Sequence, residues 1–455
     1  MTRTSPRIQF GATTFDGASI KGASVLEEVD PISRKLPIGT LEFTLYSTDP
    51  NLAITNPLGL YALFQRGQPV VVYEEVNGAD VLIGQYFIDR WENTSGVLLK
   101  LSCVDALGLL DKLPYDGGMW LTPTTLGERL QDVLGSVNIA YDLDPDLYSF
   151  PISGWSPISN RREALQQLAF AAGATITCAR QSGVIKIGRT QLAGSIFKGV
   201  YCGVVSAGQS YVRGRRWRTS PWINLTDTGY TDSGILCGVV LCGQSRMRAK
   251  RWRQGTWHLI VSDITITRAE KGAEAPLALK PLVTGVEVTA HDFVAGTESM
   301  ELYNGALAVG LHKIEFSQPC HTLTPTGATI SSSGANYAWL DVAAAGTVVL
   351  SGLKYTDTTK TFGVYDPDND VNTLKVPLAY LVNSFNAAET AQRCYNYFQQ
   401  RYLQKTKLFA PPAATGNLVL IDTLYGLQIR GVVEKMDIDL AKGFVAQTNI
   451  VGAVG

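Results

Sequence analysis

Between Ser159 and Ala174 apolar residues recur every three or four positions. Ala164, Leu165, Leu168, Ala169 and Ala172 fall on one helical face. Asn160 stands at the N-cap with Glu163 three residues on, the capping-box spacing, and Gly173 offers a left-handed stop. A hairpin pattern follows: Thr175–Ala179, a Gln181-Ser182-Gly183 turn, then Val184–Gly188. Thr125 and Glu128 repeat the capping spacing before Leu126, Leu130, Val133, Leu134 and Val137. Asn386 and Glu389 do so again before a helix expected to reach about Leu403. Its apolar stripe is Ala391, Cys394, Tyr395, Phe398 and Tyr402.

Nearly everything else alternates as strands do. Near the start these are Arg7–Phe10, Ala18–Glu27, Gly39–Tyr46, Val70–Glu74, Val81–Phe87, Asp89–Glu92 and Val97–Val104. Asn56-Pro57 begins a short helical turn, and Asn77-Gly78 marks a tight hairpin. Further on come Thr284–Phe293, Gly305–Phe316, Ala328–Ile330, Ala338–Val342, Gly346–Gly352 and Lys360–Tyr365. Asn417–Asp422, Leu427–Asp439 and Phe444–Val451 close the chain. The fold class expected is mainly β with an α+β domain: two similar small antiparallel β-barrels, a helix–hairpin domain and a β insertion. Residues 1–112 make the N-terminal barrel and 113–190 the helix–hairpin domain. Residues 191–280 are a basic Arg/Trp repeat insertion, and 281–380 a β-rich domain contributing to the second barrel. Residues 381–455 supply the helix and closing strands of that barrel.

The two ends of the chain match each other. Gly67–Tyr73 resembles Gly416–Asp422 in pattern, and Gly84, Gly96 and Gly108 align without gaps on Gly431, Gly443 and Gly455. On this alignment Trp91 falls on Ile438, Val97 on Phe444 and Val104 on Val451. A two-residue difference is placed in the first hairpin. A separate repeat lies in the insertion. Cys202-Gly203-Val204-Val205 returns as Cys237-Gly238-Val239-Val240, an offset of 35 residues. At that offset Arg216-Trp217-Arg218 returns as Arg251-Trp252-Arg253, and Trp222 as Trp257. The two units are expected to share one local backbone and lie side by side. From Arg213 to Arg253 there are nine basic residues against Asp227 and Asp232. Either the tryptophans point inward and the arginines are solvated, or Arg216, Trp217, Arg218, Trp222, Arg251, Trp252, Arg253 and Trp257 form a partner surface for an acidic protein, a cell-wall polymer or nucleic acid.

With 455 residues there is room for several cores, and the net charge of -1 argues against bulk nucleic-acid binding. Charged residues are only 17%, below the ~25% of ordinary soluble domains, which suits a surface covered in an assembly. No apolar run approaches the ~18 residues of a membrane helix, and MTRTSPRIQF carries no secretory apolar core. The seven cysteines include no CxxC pair and read as buried free thiols made in a reducing cytosol.

Candidate chemistry is sparse. Asp366, Asp368, Asp370 and Asn372 have calcium-loop spacing, but Val371 replaces the required Gly and Pro377 the bidentate Glu, so a solvated turn is expected. Asp142, Asp144 and Asp146 are weaker still. His258, His291, His312 and His321 show no zinc spacing, and there is no GxSxG elbow or phosphate loop. No catalytic residue, cofactor or metal is therefore expected.

The phrases REALQQLAFAAGA, LEFTLYSTDPN, GQYFIDRW, CVDALGLLDK, TGVEVTAHDF, QQRYLQKTKLF and LIDTLYGLQIRGVVEKMDIDL resemble those of tail hub (baseplate hub) proteins of long-tailed bacteriophages. The resemblance covers most of the chain outside 196–270. It implies a non-enzymatic homotrimer assembled in the bacterial cytoplasm and carried at the virion tail tip or baseplate. There it would form a ring joining the tail tube or distal tail proteins to a central spike or tip, with a channel for passing DNA. The tape-measure protein is a further implied partner. The two like barrels would adapt threefold to sixfold symmetry. No membrane anchor and no appended hydrolase are expected. The rival readings are a carbohydrate- or receptor-binding tail-tip protein using the Arg/Trp repeats, and a tail-associated cell-wall hydrolase.

Overall fold

The structure is a computed structural model. It describes residues 3–190, 192, 201–204, 212–216, 223–225, 236–238, 264–267, 270–271, 276–366, 371–376, 379–409, 413–423, 428–441 and 443–454, apart from 54, 60, 62, 63, 78 and 138. The protein is mainly β.

The first barrel comprises β1 (Arg3–Phe10), β2 (Thr13–Phe15), β3 (Ile20–Glu28), β4 (Thr40–Tyr46), β5 (Pro69–Val76), β6 (Ala79–Asn93) and β7 (Leu98–Val104). Alternation places Leu41, Phe43 and Leu45 of β4 and Leu99, Leu101 and Cys103 of β7 inside. Asn77, with φ of 52°, turns the β5–β6 hairpin. The two runs Val81–Phe87 and Asp89–Glu92 are one strand. A register shift between Ile88 and Arg90 leaves Asp89 as the extra residue of a bulge, so the pattern breaks where the strand does not.

The helix–hairpin unit contains α1 (Leu126–Leu134), α2 (Arg161–Ala172), β8 (Ala174–Ala179) and β9 (Val184–Arg189). Thr125 and Glu128 form the full capping box of α1. At α2 only half the box is made: Asn160 Oδ1 accepts the Glu163 N–H at 2.8 Å. Gly173 ends α2 in the left-handed region, φ of 69°. Phe170 and Ala171, outside the apolar face read from the sequence, are buried as well. The last helix, Ala387–Phe398, covers them: Arg393 lies over the Phe170 ring and donates to Phe170 O.

The middle of the chain is a long ribbon. Strands β12 (Gly285–Leu307) and β13 (Gly346–Tyr365), which follow β10 (Ile264–Ile266) and β11 (Leu277–Leu279), pair antiparallel along their whole length. The expected breaks after Phe293 and Gly352 do not occur. The intervening residues are polar because the ribbon is solvated there, and bulges between Ala295 and Ser299 and between Glu301 and Tyr303 absorb the lost alternation. The expected Gly305–Phe316 strand instead turns at Gly310, φ of 126°. At the ribbon's far end a small core of Phe316, Cys320, Ala338, Leu340, Val342, Val348 and Leu350 holds a second, three-stranded sheet.

Helix α3 (Ala387–Phe398) stops before the expected Leu403, and Tyr402 opens β14 (Tyr402–Phe409). No side chain caps α3. Asn386 Oδ1 accepts the Asn383 N–H at 2.8 Å and its Nδ2 donates to Leu381 O at 3.1 Å, so the carboxamide is already committed. The chain closes with β15 (Leu418–Asp422), β16 (Gln428–Asp439) and β17 (Val445–Val454).

Strand order is β3-β4-β7-β6-β5-β1 in the first barrel and β11-β14-β17-β16-β15-β10 in the second. The topologies match except at one edge: β1 runs antiparallel to β5, whereas β10 runs parallel to β15. The register matches too, and it corrects the glycine alignment. Ile88 faces Cys103 as Val433 faces Ile450; Trp91 faces Leu101 as Met436 faces Thr448. Trp91 therefore corresponds to Met436, not Ile438, and Gly84 to Ile429, not Gly431. The first hairpin does differ, but by four residues: Gly67 N–H meets Ile88 O where Gly416 N–H meets Val433 O, and the β16–β17 turn is two residues longer than the β6–β7 turn. Val104 does fall on Val451, and Gly96 and Gly443 turn at φ of 75° and 83°. Instead of each barrel closing on itself, β3 passes directly onto β16, and both barrels share a 13-stranded sheet and one core.

Candidate functional site

The seam between the barrels is the feature that the chain's polar groups organise. Ser24–Glu28 pairs with Asp439–Lys435, while the other edge of β3 pairs with β4. Val29 N–H donates to Glu434 O at 2.8 Å and Leu440 N–H to Ala23 O at 2.9 Å, closing both ends of the seam. Alternation along SVLEE sends Val25 and Glu27 to the core and leaves Glu28 outside, where it pairs with Lys435.

Glu27 would be an uncompensated buried charge but for Arg180 of the β8–β9 turn, whose Nε lies 3.4 Å from Glu27 Oε1. Burial raises the Glu27 pKa and the guanidinium pulls it down. Beside it Asp105 caps the short helix Ala106–Leu110, accepting from Gly39 N–H at 2.8 Å and Gly108 N–H at 3.0 Å. Burial pushes Asp105 up to about 7, against those two backbone bonds. Tyr86 Oη and Arg180 Nη1 line the same space without a hydrogen-bond partner among the described residues. They line a cavity of ≈ 20 Å³ that also touches Thr177 and Thr415. That is room for one water with donors and acceptors on several sides.

Three parts of the chain thus meet at one point: the first barrel, the helix–hairpin unit and the second barrel. Gly84 is there to let Arg180 pass, since a Cβ would lie 2.6 Å from Arg180 Cγ. Gly416 plays the same part across the way, at φ of 84°, where a Cβ would lie 2.8 Å from Thr177 Cγ2. A second polar cluster ties α3 to the seam. Glu434, the bulge residue of β16, accepts from Tyr397 Oη at 2.8 Å and lies 3.8 Å from Lys280 Nζ. Burial raises the Glu434 pKa, and Lys280 lowers it. Glu27 and Asp105 are buried and Glu434 is half-buried, and all three are engaged with side-chain or backbone partners that tie separate parts of the chain together.

The Arg/Trp surface lies mostly outside the described residues: Trp217, Arg218, Trp222, Arg251, Trp252, Arg253 and Trp257 all do. Arg216 is the last residue of the strand Val212–Arg216, paired with Tyr201. What is described bears on the repeat. Tyr201, Cys202 and Gly203 pair in parallel with Leu236, Cys237 and Gly238, the repeat offset itself. The first strands of the two units therefore stack side by side.

Among the other candidates, His291 Nδ1 lies 2.7 Å from Asp357 Oδ2 in a buried aromatic setting with Tyr380. His258, Asp368 and Asp370 lie outside the described residues. Asp366 and Asn372 both bond Thr284, closing a strand end. Among the described residues no group of three His, Cys, Asp or Glu side chains could hold a metal ion. The cysteines Cys103, Cys320 and Cys394 are free and buried. No described helix is long and apolar enough to cross a membrane.

Among solved structures the chain is similar to phage tail proteins. The 43 kDa tail protein of prophage MuSo2 from Shewanella oneidensis matches 98% of this chain and 98% of its own, at 10% identity and a TM-score of 0.47. The tail protein from Neisseria meningitidis MC58 matches 98% and 96%, at 10% identity and a TM-score of 0.49. The prophage tail protein gp18 from Listeria monocytogenes EGD-e matches 99% and 95%, at 7% identity and a TM-score of 0.46. Identities this low carry no residue roles across. No protein-family model matches the chain, and no curated protein matches it. What the seam offers was only half legible in sequence. The barrel duplication left a glycine trace, but Glu27, Asp105 and Arg180 lie far apart in the chain with no spacing to join them.

Proposed function

We propose that this chain is a structural tail hub protein. Three copies form a ring that joins the tail tube or distal tail proteins to a central spike or tail tip and leaves a channel. The observation that carries the proposal is the pair of barrels with one strand order, fastened head to tail through β3 and β16. A trimer of such chains presents six similar modules about one axis and so seats a threefold body on a sixfold tube. The hub-like phrases in both barrels support the same reading. The ring's work is done by interfaces, with no cofactor and no catalytic group. Its site of action is the virion tail tip or baseplate, and the tape-measure protein is a further partner. Light scattering and electron microscopy of the purified chain test this: a trimeric ring supports it, and a stable dimer refutes it.

The in-register stacking of Tyr201–Gly203 on Leu236–Gly238 favours a second role for the insertion. An ordered two-unit stack would carry Trp217 and Trp252 in equivalent places, as a glycan or receptor platform. Glycan binding that survives Trp217→Ala with Trp252→Ala would remove it.

A further inference from the structure

The internal duplication leaves two edges without their counterparts. In the first barrel β3 pairs with β4 and extends onto the C-terminal half of β16. Its counterpart β11 pairs with β14 and then ends the sheet. On β16 the C-terminal half receives β3, whereas Arg90–Asn93, its counterpart on β6, is laddered only to β7 among the described residues. Among the described residues each chain thus carries one filled seam, one strand edge and one ladder edge left unpaired.

We propose that β11 of one copy pairs antiparallel with Arg90–Asn93 of the next, repeating between chains the seam that exists within each. This rests on the ring reading above and names the contact that builds it. The register follows from the duplication. Leu277 faces Gln404 where Val25 faces Leu41, so β11 stands for Val25–Glu27. Val25 faces Ile438 and Glu27 faces Met436. Carried to the first barrel, Leu277 meets Asn93 of the second copy, Ala278 meets Glu92 and Leu279 meets Trp91.

Three observations agree with this register. Val25 and Glu27 point to the core, and the leucines at the same positions are 43% and 56% exposed, left uncovered by the described residues. Val29 donates its N–H to Glu434 O; its counterpart, Pro281, has no N–H to give. The matching acceptor, Asp89 O, is already filled by Arg66 Nε at 2.9 Å. Finally, the Glu28–Lys435 pair would become Lys280 opposite Arg90, but Lys280 Nζ is turned back to its own Glu434 at 3.8 Å. A head-to-tail contact of this kind closes into a ring only at the right rotation. The filled seam sets that rotation within the chain.

The test is a cross-link in the full chain. Ala278 and Glu92 are both exposed and face each other as Leu26 faces Asp437, in a pair flanked by hydrogen-bonded ones, where side chains come closest. Ala278→Cys with Glu92→Cys should give a covalent trimer under oxidation. Ala278→Cys with Asp80→Cys should give none. A dimer-to-tetramer ladder through the first pair supports the seam and contradicts the closed ring. A trimer that does not cross-link overturns the seam and leaves the hub reading standing. A chain that neither assembles nor cross-links overturns the seam. Leu279→Asp is the second arm: it should abolish assembly with an unchanged circular dichroism spectrum, and a variant that still forms the ring refutes the proposal.

Discussion

Asp89 and Glu434 occupy the same position: each is the extra residue of a bulge in the long middle strand of its barrel. One lies 3.8 Å from Lys112 at the surface; the other is drawn inward to Tyr397 and Lys280. A shared backbone device thus serves different neighbours, and the neighbours are what distinguish the two halves of the chain. Removing the Glu434 carboxylate should leave Tyr397 Oη without its buried partner. Glu434→Ala is expected to cost about 1–3 kcal/mol in urea unfolding, against less than ~1 kcal/mol for Asp89→Ala. Equal losses would show that the inward cluster does not fasten α3.

Asp105 supplies a pH signature. Its folded pKa, about 7, lies above the ~3.9 of an unfolded Asp, so the folded state binds the proton more tightly. Stability from this group is therefore full at low pH and falls as pH rises from about 4 through 7. Glu27 shifts in the same direction. Asp105→Asn should lose that slope, so the stability difference between wild type and variant shrinks by a few kcal/mol from pH 4.5 to pH 8 at ~1.4 kcal/mol per pKa unit. A difference that stays constant across this range contradicts the assignment.

Two left-handed glycines separate backbone strain from crowding. Gly96, φ of 75°, has open space where a Cβ would go, whereas Gly416, φ of 84°, would press on Thr177. Gly96→Ala should cost about 1 kcal/mol and Gly416→Val clearly more. The comparison is a pair of thermal melts. Equal losses would mean that the second barrel does not bear on the β8–β9 hairpin.

The same glycines show what sequence can and cannot carry. Thr125 and Glu128 made their capping box because the local spacing is sufficient. Asn386 had the same spacing and failed, because Leu381 and Asn383 compete for its carboxamide. Gly84 and Gly431 looked equivalent by interval, yet they are glycine for different reasons. Gly84 yields to Arg180, and Gly431 to Val451 O, which a Cβ would approach to 2.6 Å. The duplication is readable as a pattern, but its register depends on two turns whose lengths differ in opposite senses, the first hairpin by four residues and the next turn by two. The long ribbon was missed because a solvated antiparallel pair need not alternate. The meeting of Glu27, Asp105 and Arg180 depends on tertiary approach alone.

The insertion should be separable. Its described strands between Tyr201 and Gly238 pair only with one another. Deleting 200–260 with a short linker is expected to preserve soluble expression and keep the melting temperature within a few degrees, because loop length contributes only ~0.6 kcal/mol per doubling. Insoluble product would place the insertion in the core.

The central claim is that each chain contributes two like barrels to one closed ring. Electron microscopy of the assembled chain, refined with threefold symmetry only, tests it most directly. The account predicts six barrel densities around a channel, the two barrels of each chain alternating, with 67–104 superposing on 416–451 in strand order and direction. A dimer, or a threefold ring in which one barrel lines the axis and the other lies outside it, would contradict it.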